Sequence, residues 1–104
     1  MIADFNFQAE EKIIDEEGNI TWKPLFEVGQ PLIMSKLVIS ALNHPDVPIG
    51  DKERKKFLAN ELTLNGKVEI TSDDLAMLKE LARSELAFSA SVMDCLQNYL
   101  NTIK

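Results

Sequence analysis

The sequence predicts a small α+β domain in which an N-terminal β-hairpin or small antiparallel sheet packs on about four helices. Apolar residues alternate with polar residues in the first part of the chain, and they recur at helical spacing in the rest. Gly and Pro residues separate these segments. Because 104 residues match one ordinary domain, we predict a single domain over 1–104, with a β-hairpin region over 1–28 and a mainly helical region over 29–104.

The first strand is predicted in ADFNFQA, residues 3–9, because its two phenylalanines alternate with polar residues. The hairpin follows in KIIDEEGNITWKP, residues 12–24, where a loop ending in Gly18 and Asn19 separates two β-forming runs. Pro24 ends the second strand of this hairpin, because proline has no N–H to donate to a neighbouring strand.

The first helix is predicted in GQPLIMSKLVISALNHP, residues 29–45. Pro31 suits the first turn of a helix, and Pro45 stops it. Its apolar residues cover much of the circumference, which indicates a central helix packed on more than one side. A short Pro-rich connector then leads to the next helix.

The second helix is predicted in DKERKKFLANELTL, residues 51–64, with Asp51 as its N-cap. Its expected buried positions are Phe57, Leu58 and Leu62.

A corner follows in NGKVEITSDDLAMLKELA, residues 65–82. Gly66 stops the second helix, and a short strand is predicted near 67–70. Thr71 and Asp74 have the spacing of an N-cap pair, so we interpret the acidic residues here as structural and place a third helix after them. The last helix is predicted to begin near Ser89 or Ser91.

The net charge of −6 comes from 17 acidic and 11 basic residues. This balance disfavours direct nucleic-acid binding, whose affinity comes from Lys and Arg side chains that neutralise phosphates. Residues 1–30 hold seven acidic side chains against Lys12 and Lys23. The basic run KERKK, residues 52–56, is interpreted as solvated surface, and the alternative is a basic spot for an acidic partner or an RNA end.

Few residues offer catalytic or metal-binding chemistry. The single histidine, His44, is expected to act as a helix C-cap whose imidazole bonds the last carbonyls. The single cysteine, Cys95, excludes an intrachain disulfide and is expected in the core. The acidic run at 15–19 lacks calcium-loop spacing, and no phosphate-binding glycine loop occurs. We therefore expect no enzyme, with no catalytic, cofactor-binding or metal-binding residues.

The N-terminal residues MIADFNFQAEE contain no basic leader and no apolar stretch of signal-peptide length. No apolar run approaches the roughly 20 residues that a membrane span needs. We therefore expect a cytoplasmic protein with no membrane partner.

The order of features resembles that of a loose set of small, uncharacterised accessory proteins of tailed phages and prophages. In these proteins a hairpin precedes an apolar helix, and a capped corner precedes a later helix. Here the corresponding elements are Gly29 to Leu32, Ala41-Leu42, Val68 to Asp74, and Leu78-Lys79. The resemblance covers roughly residues 15–100. It implies a phage-type accessory protein in the host-cell cytoplasm and carries no catalytic residues with it.

The predicted function is a non-enzymatic protein-interaction or regulatory module that binds a host or phage protein. We expect an apolar patch around the hairpin, flanked by acidic side chains that steer a basic partner. The candidate interaction surface consists of Asp15, Glu16, Glu17, Trp22 and Phe26. The sequence leaves open whether Trp22 belongs to the core or to the interface.

Four further hypotheses remain at this point. An acidic mimic or inhibitor of a nucleic-acid-binding protein would need acids on one face at phosphate-like spacing. A small hydrolase would need His44 to converge with a serine or an acid. A direct DNA binder is disfavoured by the charge. A homo-oligomer through the C-terminal helix is the fourth, because Met93 and Leu86 widen the apolar face predicted for that helix.

Overall fold

The computed structural model describes residues 1–103, and Lys104, the last residue of the predicted domain, lies outside the described residues. The described residues form an elongated α+β body of 44 × 29 × 26 Å with six short strands and four helices. The strands are β1 (Ile2–Asp4), β2 (Glu10–Ile14), β3 (Ile20–Pro24), β4 (Phe26–Glu27), β5 (Gln30–Pro31) and β6 (Lys67–Glu69). The helices are α1 (Met34–Leu42), α2 (Lys52–Asn65), α3 (Ser72–Leu81) and α4 (Ala90–Leu100).

The strands form three separate antiparallel ribbons, each of two strands. The predicted hairpin is present as the β2–β3 ribbon, in which Ile14 lies opposite Ile20. The β4–β5 ribbon is a second, smaller hairpin that follows it directly along the chain. The β1–β6 ribbon joins the N-terminus to the strand between α2 and α3, which confirms the short strand predicted near 67–70.

The strand predicted over 3–9 is wrong beyond Asp4, because residues 5–9 hydrogen-bond to several elements instead of to one partner strand. The Phe5 N–H donates to the Gly66 carbonyl at 2.9 Å. The carbonyls of Phe5 and Phe7 accept from the first backbone N–H groups of α1, at 2.9 and 2.8 Å. These helix N–H groups have no side-chain cap, so the chain at 5–9, here called the central segment, satisfies them.

Aromatic packing fixes the central segment to α4. Phe5 is fully buried, and its ring meets the Tyr99 ring edge-on with 5.5 Å between centroids. The Phe7 ring lies 4.8 Å from the same Tyr99 ring. The Tyr99 hydroxyl accepts a hydrogen bond from the Asp4 N–H at 2.7 Å. One tyrosine therefore supplies both apolar contact and a polar partner to the N-terminal chain.

In the part of the chain that the structure describes, the core lies between the central segment and the four helices. Its largest fully buried side chains come from the central segment and all four helices, and they are Phe5, Met34, Leu58, Leu81, Leu96, Leu100 and Val38.

Helix α1 begins later than predicted, at Met34 instead of near Pro31. The residues before it form the β4–β5 hairpin, with a two-residue turn at Val28 and Gly29. This hairpin also crosses the predicted boundary between residues 28 and 29. The prediction failed because strands of two residues carry no alternation that a sequence pattern can register.

The ends of α2 confirm the predicted cap and stop. The Asp51 carboxylate accepts the Arg54 N–H at 2.9 Å, and Gly66 ends the helix in the left-handed region with φ 71°. The positive φ favours glycine here, and a β-carbon would lie 1.8 Å from the Asn6 side-chain oxygen, so a larger residue would also displace the Asn6 amide.

Phe57 is 45% exposed, so its predicted burial is wrong, although Leu58 and Leu62 are buried as expected. The Arg54 guanidinium lies 4.7 Å from the centre of the Phe57 ring. This cation–π contact stabilises a partly exposed ring on the outer face of α2.

The predicted cap of α3 is confirmed as a reciprocal capping box. The Thr71 hydroxyl accepts the Asp74 N–H at 3.1 Å, and the Asp74 carboxylate accepts the Thr71 N–H at 2.9 Å. Asp74 also accepts two hydrogen bonds from the Arg54 guanidinium, one of them from Nε at 2.8 Å. Arg54 thereby lowers the pKa of the Asp74 carboxyl to about 2 and ties α3 to α2.

Helix α4 has Ser89 at its N-cap position, within the predicted start, but the Ser89 side chain makes no capping hydrogen bond. Ser91 lies inside the helix, so it is not the N-cap residue.

The Arg54–Asp74 pair predicts acid sensitivity. The folded-state pKa of Asp74 is lowered to about 2 from an ordinary 3.8, so the pair's contribution is complete above about pH 4 and is lost as pH falls through 2. We expect Asp74→Asn to lower the free energy of unfolding at pH 7 by about 1–2 kcal/mol. The pKa shift alone would give a larger loss, but Arg54 is partly exposed and solvent screens the pair. Urea denaturation between pH 2 and 7 measures the difference.

Asp73→Asn is the matched control, since Asp73 occupies the same helical turn and is exposed. The account of the pair is contradicted if Asp74→Asn and Asp73→Asn lose the same stability at every pH.

Candidate functional site: an exposed two-hairpin arm

The two consecutive hairpins over residues 10–31, here called the hairpin arm, contain the largest group of exposed apolar side chains among the described residues. Every residue from 13 to 21 is exposed, so the outer half of the first hairpin extends into solvent.

Three backbone hydrogen bonds join the two hairpins at their base. The Ala9 N–H donates to the Leu32 carbonyl at 2.7 Å, the Leu25 N–H to Ala9 at 2.9 Å, and the Leu32 N–H to Leu25 at 3.0 Å. The Gln8 amide adds a fourth bond to the Leu25 carbonyl at 2.8 Å. The base of the arm is therefore attached to the central segment through Ala9, which is fully buried.

Helix α4 and the core hold one side of the first hairpin. The Glu10 N–H lies 3.4 Å from the Cys95 sulfur, which accepts it. Burial raises the pKa of the Cys95 thiol, so this cysteine is a packing residue in the core and not an activated nucleophile. Trp22 is half-buried and packs against the core, so it is neither fully buried nor fully exposed. Trp22 thus attaches the first hairpin to the core, and part of its side chain stays accessible to solvent.

The tip of the first hairpin presents an apolar cross-strand pair to solvent. Ile14 and Ile20 lie directly opposite each other, and they are 61% and 55% exposed. Trp22 lies two residues beyond Ile20, so it shares the same face of the ribbon. This face is covered by the body near Trp22 and is open at the isoleucines.

The acidic turn of the first hairpin is held by one of its own carboxylates. Asp15 accepts the N–H groups of Glu17 and Asn19, at 2.9 and 2.8 Å. The hydrogen bond from Asn19 is the largest cause that lowers the pKa of the Asp15 carboxyl. Asp15 therefore shapes the turn, while Glu16 and Glu17 are exposed around the isoleucine pair.

The tip of the second hairpin contains a strained valine. Val28 and Gly29 have φ angles of 48° and 77°, as in a turn with two left-handed central residues, where Asn and Gly are preferred. A β-branched residue with positive φ is a steric outlier. The Val28 side chain is also 97% exposed, so no contact within the body compensates for the strain. Phe26, in the adjoining strand, is 61% exposed.

The arm is strongly acidic. It carries six carboxylates and two lysines, a net charge of −4, and these charges alternate with the exposed apolar side chains. A surface that combines exposed apolar side chains with charges of one sign is complementary to an apolar surface with charges of the opposite sign.

All five residues of the predicted interaction surface lie on the arm, but their positions differ. Trp22 supports the hairpin, Asp15 closes its turn, and Glu16, Glu17 and Phe26 are exposed. Sequence reasoning did not include Ile14, Ile20 and Val28 in the surface. The sequence could have indicated the isoleucines, because residues that immediately flank a hairpin turn lie near its exposed tip. No signal existed for Val28, since valine is not a turn residue.

The other residues considered for chemistry occupy structural positions. The His44 imidazole does not bond the last carbonyls of α1 as predicted; its Nδ1 accepts the Asp46 N–H at 3.2 Å. Within residues 1–103, no three His, Cys, Asp or Glu side chains are arranged to hold a metal ion. In the same residues, no helix has both the length and the apolar composition to cross a membrane.

The predicted apolar face of the last helix is also narrower than expected. Leu86 is 65% exposed, but it lies before α4 begins, and Met93 is half-buried against the core.

The chain matches no protein-family model, and it shows no significant similarity to a curated protein or to a solved structure.

The strain at Val28 makes a prediction about stability. Val28→Asn replaces a β-branched residue with one that tolerates positive φ, so we expect the free energy of unfolding to rise by about 1 kcal/mol. Val28→Thr is the matched control, because threonine keeps the branched shape and the strain. Equilibrium urea unfolding measures both. An asparagine variant no more stable than the threonine variant would show that the turn is not strained.

Proposed function

We propose that the protein is a non-enzymatic interaction module whose hairpin arm binds a partner protein with an apolar contact surface rimmed by basic side chains. The observation that carries the proposal is Val28, an apolar side chain at the tip of a hairpin that is fully exposed and conformationally strained. Strain that contributes nothing to the fold is characteristic of positions retained for a contact outside it.

The exposed isoleucine pair supports the same surface. Ile14 and Ile20 are both more than half exposed although their strands continue into the body, where Trp22 is packed. Burying such a pair against a partner gives about 25 cal/mol for each Å² of apolar area removed from water. Trp22 adds a rigid aromatic side chain at the inner end of this face, and tryptophan is common at the energetic centre of interfaces.

The charge of the arm indicates the chemistry of the partner. A net charge of −4 on residues 10–31 attracts a surface with Lys or Arg and repels acidic ones. Such charges act mainly on the rate of association and on selectivity, while the apolar tips supply the contact that persists after docking.

The resemblance to tailed-phage and prophage accessory proteins suggests where the partner is found. We propose a host or phage protein in the cytoplasm of the infected cell. The alternative function, an acidic mimic that blocks a nucleic-acid-binding protein, would depend on carboxylates alone. Exposed apolar residues between the carboxylates favour the interaction module over the mimic.

Affinity capture tests the proposal. Tagged wild-type protein is incubated with nuclease-treated host extract at low and moderate salt, beside Ile14→Thr/Ile20→Thr, which keeps β-branched residues but removes the apolar pair. We expect wild type to retain one protein at both salt concentrations and the variant to lose it, as read by mass spectrometry.

Leu64→Gln/Leu86→Gln is the matched control, because it removes two other side chains that are 75% and 65% exposed and lie outside the arm. Equal capture by the arm variant and by this control would contradict the proposal. Capture of a nucleic-acid-binding protein that is lost at moderate salt would support the mimic instead, because purely ionic contacts are screened.

A further inference from the structure

A basic cleft lies between the end of α1 and the start of α2, and it does not involve the hairpin arm. It has a volume of about 360 Å³, and none of the described residues in its lining is acidic. The residues around it are Leu42, Asn43, His44, Pro45, Lys52, Lys55 and Lys56. Three of the eleven basic residues of an acidic protein therefore converge on one cavity.

Helical spacing places these lysines together. Lys55 and Lys56 follow Lys52 by three and four positions, so all three lie on one face of α2. Like charges at this spacing destabilise a helix. No salt bridge within residues 1–103 involves any of the three ammonium groups. Helix α2 therefore concentrates positive charge at the cleft, and no direct ion pair within the described residues neutralises these three lysines.

Lys55 is held in the wall of the cleft instead of being solvated, so interpreting the whole KERKK run as solvated surface is wrong for this residue. It is 8% exposed, and its Nζ donates to the Val47 carbonyl at 3.2 Å. An ammonium group has three N–H donors, and this is its one hydrogen bond within residues 1–103. The other two N–H groups of Lys55 make no hydrogen bond within residues 1–103, and Lys55 is one of the residues that line the cleft.

His44 adds a ring nitrogen to the lining of the cleft. Its Nδ1 accepts the Asp46 N–H, so the ring N–H that can donate is the one on Nε2. Leu42 and Pro45 supply apolar surface beside it. The cleft therefore combines three cationic side chains, a ring N–H donor and an aliphatic wall.

We propose that this cleft binds a small phosphorylated molecule that carries at least two negative charges. Lysine ammonium groups act as point charges on phosphate oxygens, and three of them match an anion with several such oxygens. The volume lies at the lower end of the range for small-molecule sites, about 300–1,000 Å³. None of the described residues that line the cleft is one of the aromatics Phe, Tyr and Trp on which the bases of single-stranded nucleic acids stack.

Isothermal titration calorimetry on the full chain at low ionic strength tests the proposal, with pyrophosphate, ATP and adenosine as probes. Pyrophosphate and ATP are expected to bind with one-to-one stoichiometry, and adenosine is expected not to bind. Lys52→Ala/Lys56→Ala removes two exposed lysines from the cleft and should raise the Kd for both anions on the order of tenfold or more.

Lys23→Ala/Lys36→Ala is the charge-matched control, because both lysines are exposed and lie outside the cleft. Its Kd should equal that of wild type. The proposal is overturned if neither anion binds at millimolar concentration, or if the two double variants weaken binding equally, which would indicate general charge attraction. Tighter binding of a 5′-phosphorylated oligonucleotide than of ATP would overturn the small-molecule assignment.

Discussion

The rest of the structure depends on the central segment, because residues 5–9 supply backbone partners to elements that would otherwise lack them. Phe5 bonds through its N–H to Gly66 and through its carbonyl to the first turn of α1, while Ala9 joins both hairpins of the arm. A regular strand could not serve these partners at once, since its N–H and C=O groups alternate between only two neighbours. Irregular backbone is tolerated here because each of these polar groups has a partner.

A well-packed body therefore adjoins an arm that is attached at its base and along one side of the first hairpin, where Trp22 packs on the core and Glu10 bonds to Cys95. The Phe5 and Tyr99 rings pack together in the body. The backbone hydrogen bonds of Ala9 connect the body to the start of both hairpins. Beyond these contacts residues 13–21 are all exposed, and the ribbon hydrogen bonds together with the turn held by Asp15 define their shape. An arm of this kind presents exposed apolar side chains in a defined geometry, which lowers the entropy cost of binding.

Sequence reasoning predicted the features that depend on local chemistry, and it failed where distant parts of the chain decide. The Asp51 cap, the Gly66 stop and the Thr71–Asp74 box follow from the residue types of a few neighbouring positions. The end of β1 and the start of α1 do not follow from neighbouring residue types. The hydrogen bonds of residues 5–9 set the end of β1, and the turn at Val28 and Gly29 delays the start of α1. The acidic hairpin was predicted as a surface, but the exposure of its isoleucines depends on where α4 packs.

Contact between the tips of the arm and a partner protein is tested most directly by site-specific photo-crosslinking in cells that express the protein. A photoreactive phenylalanine analogue replaces Val28 in one variant and Leu64 in another, since both positions are exposed and only the first lies on the arm. If the tips bind a partner, the analogue at position 28 forms one discrete adduct, and the crosslinked protein has basic surface residues. The analogue at position 64 forms no adduct. No adduct from position 28, or the same adducts from both positions, would contradict the proposed contact.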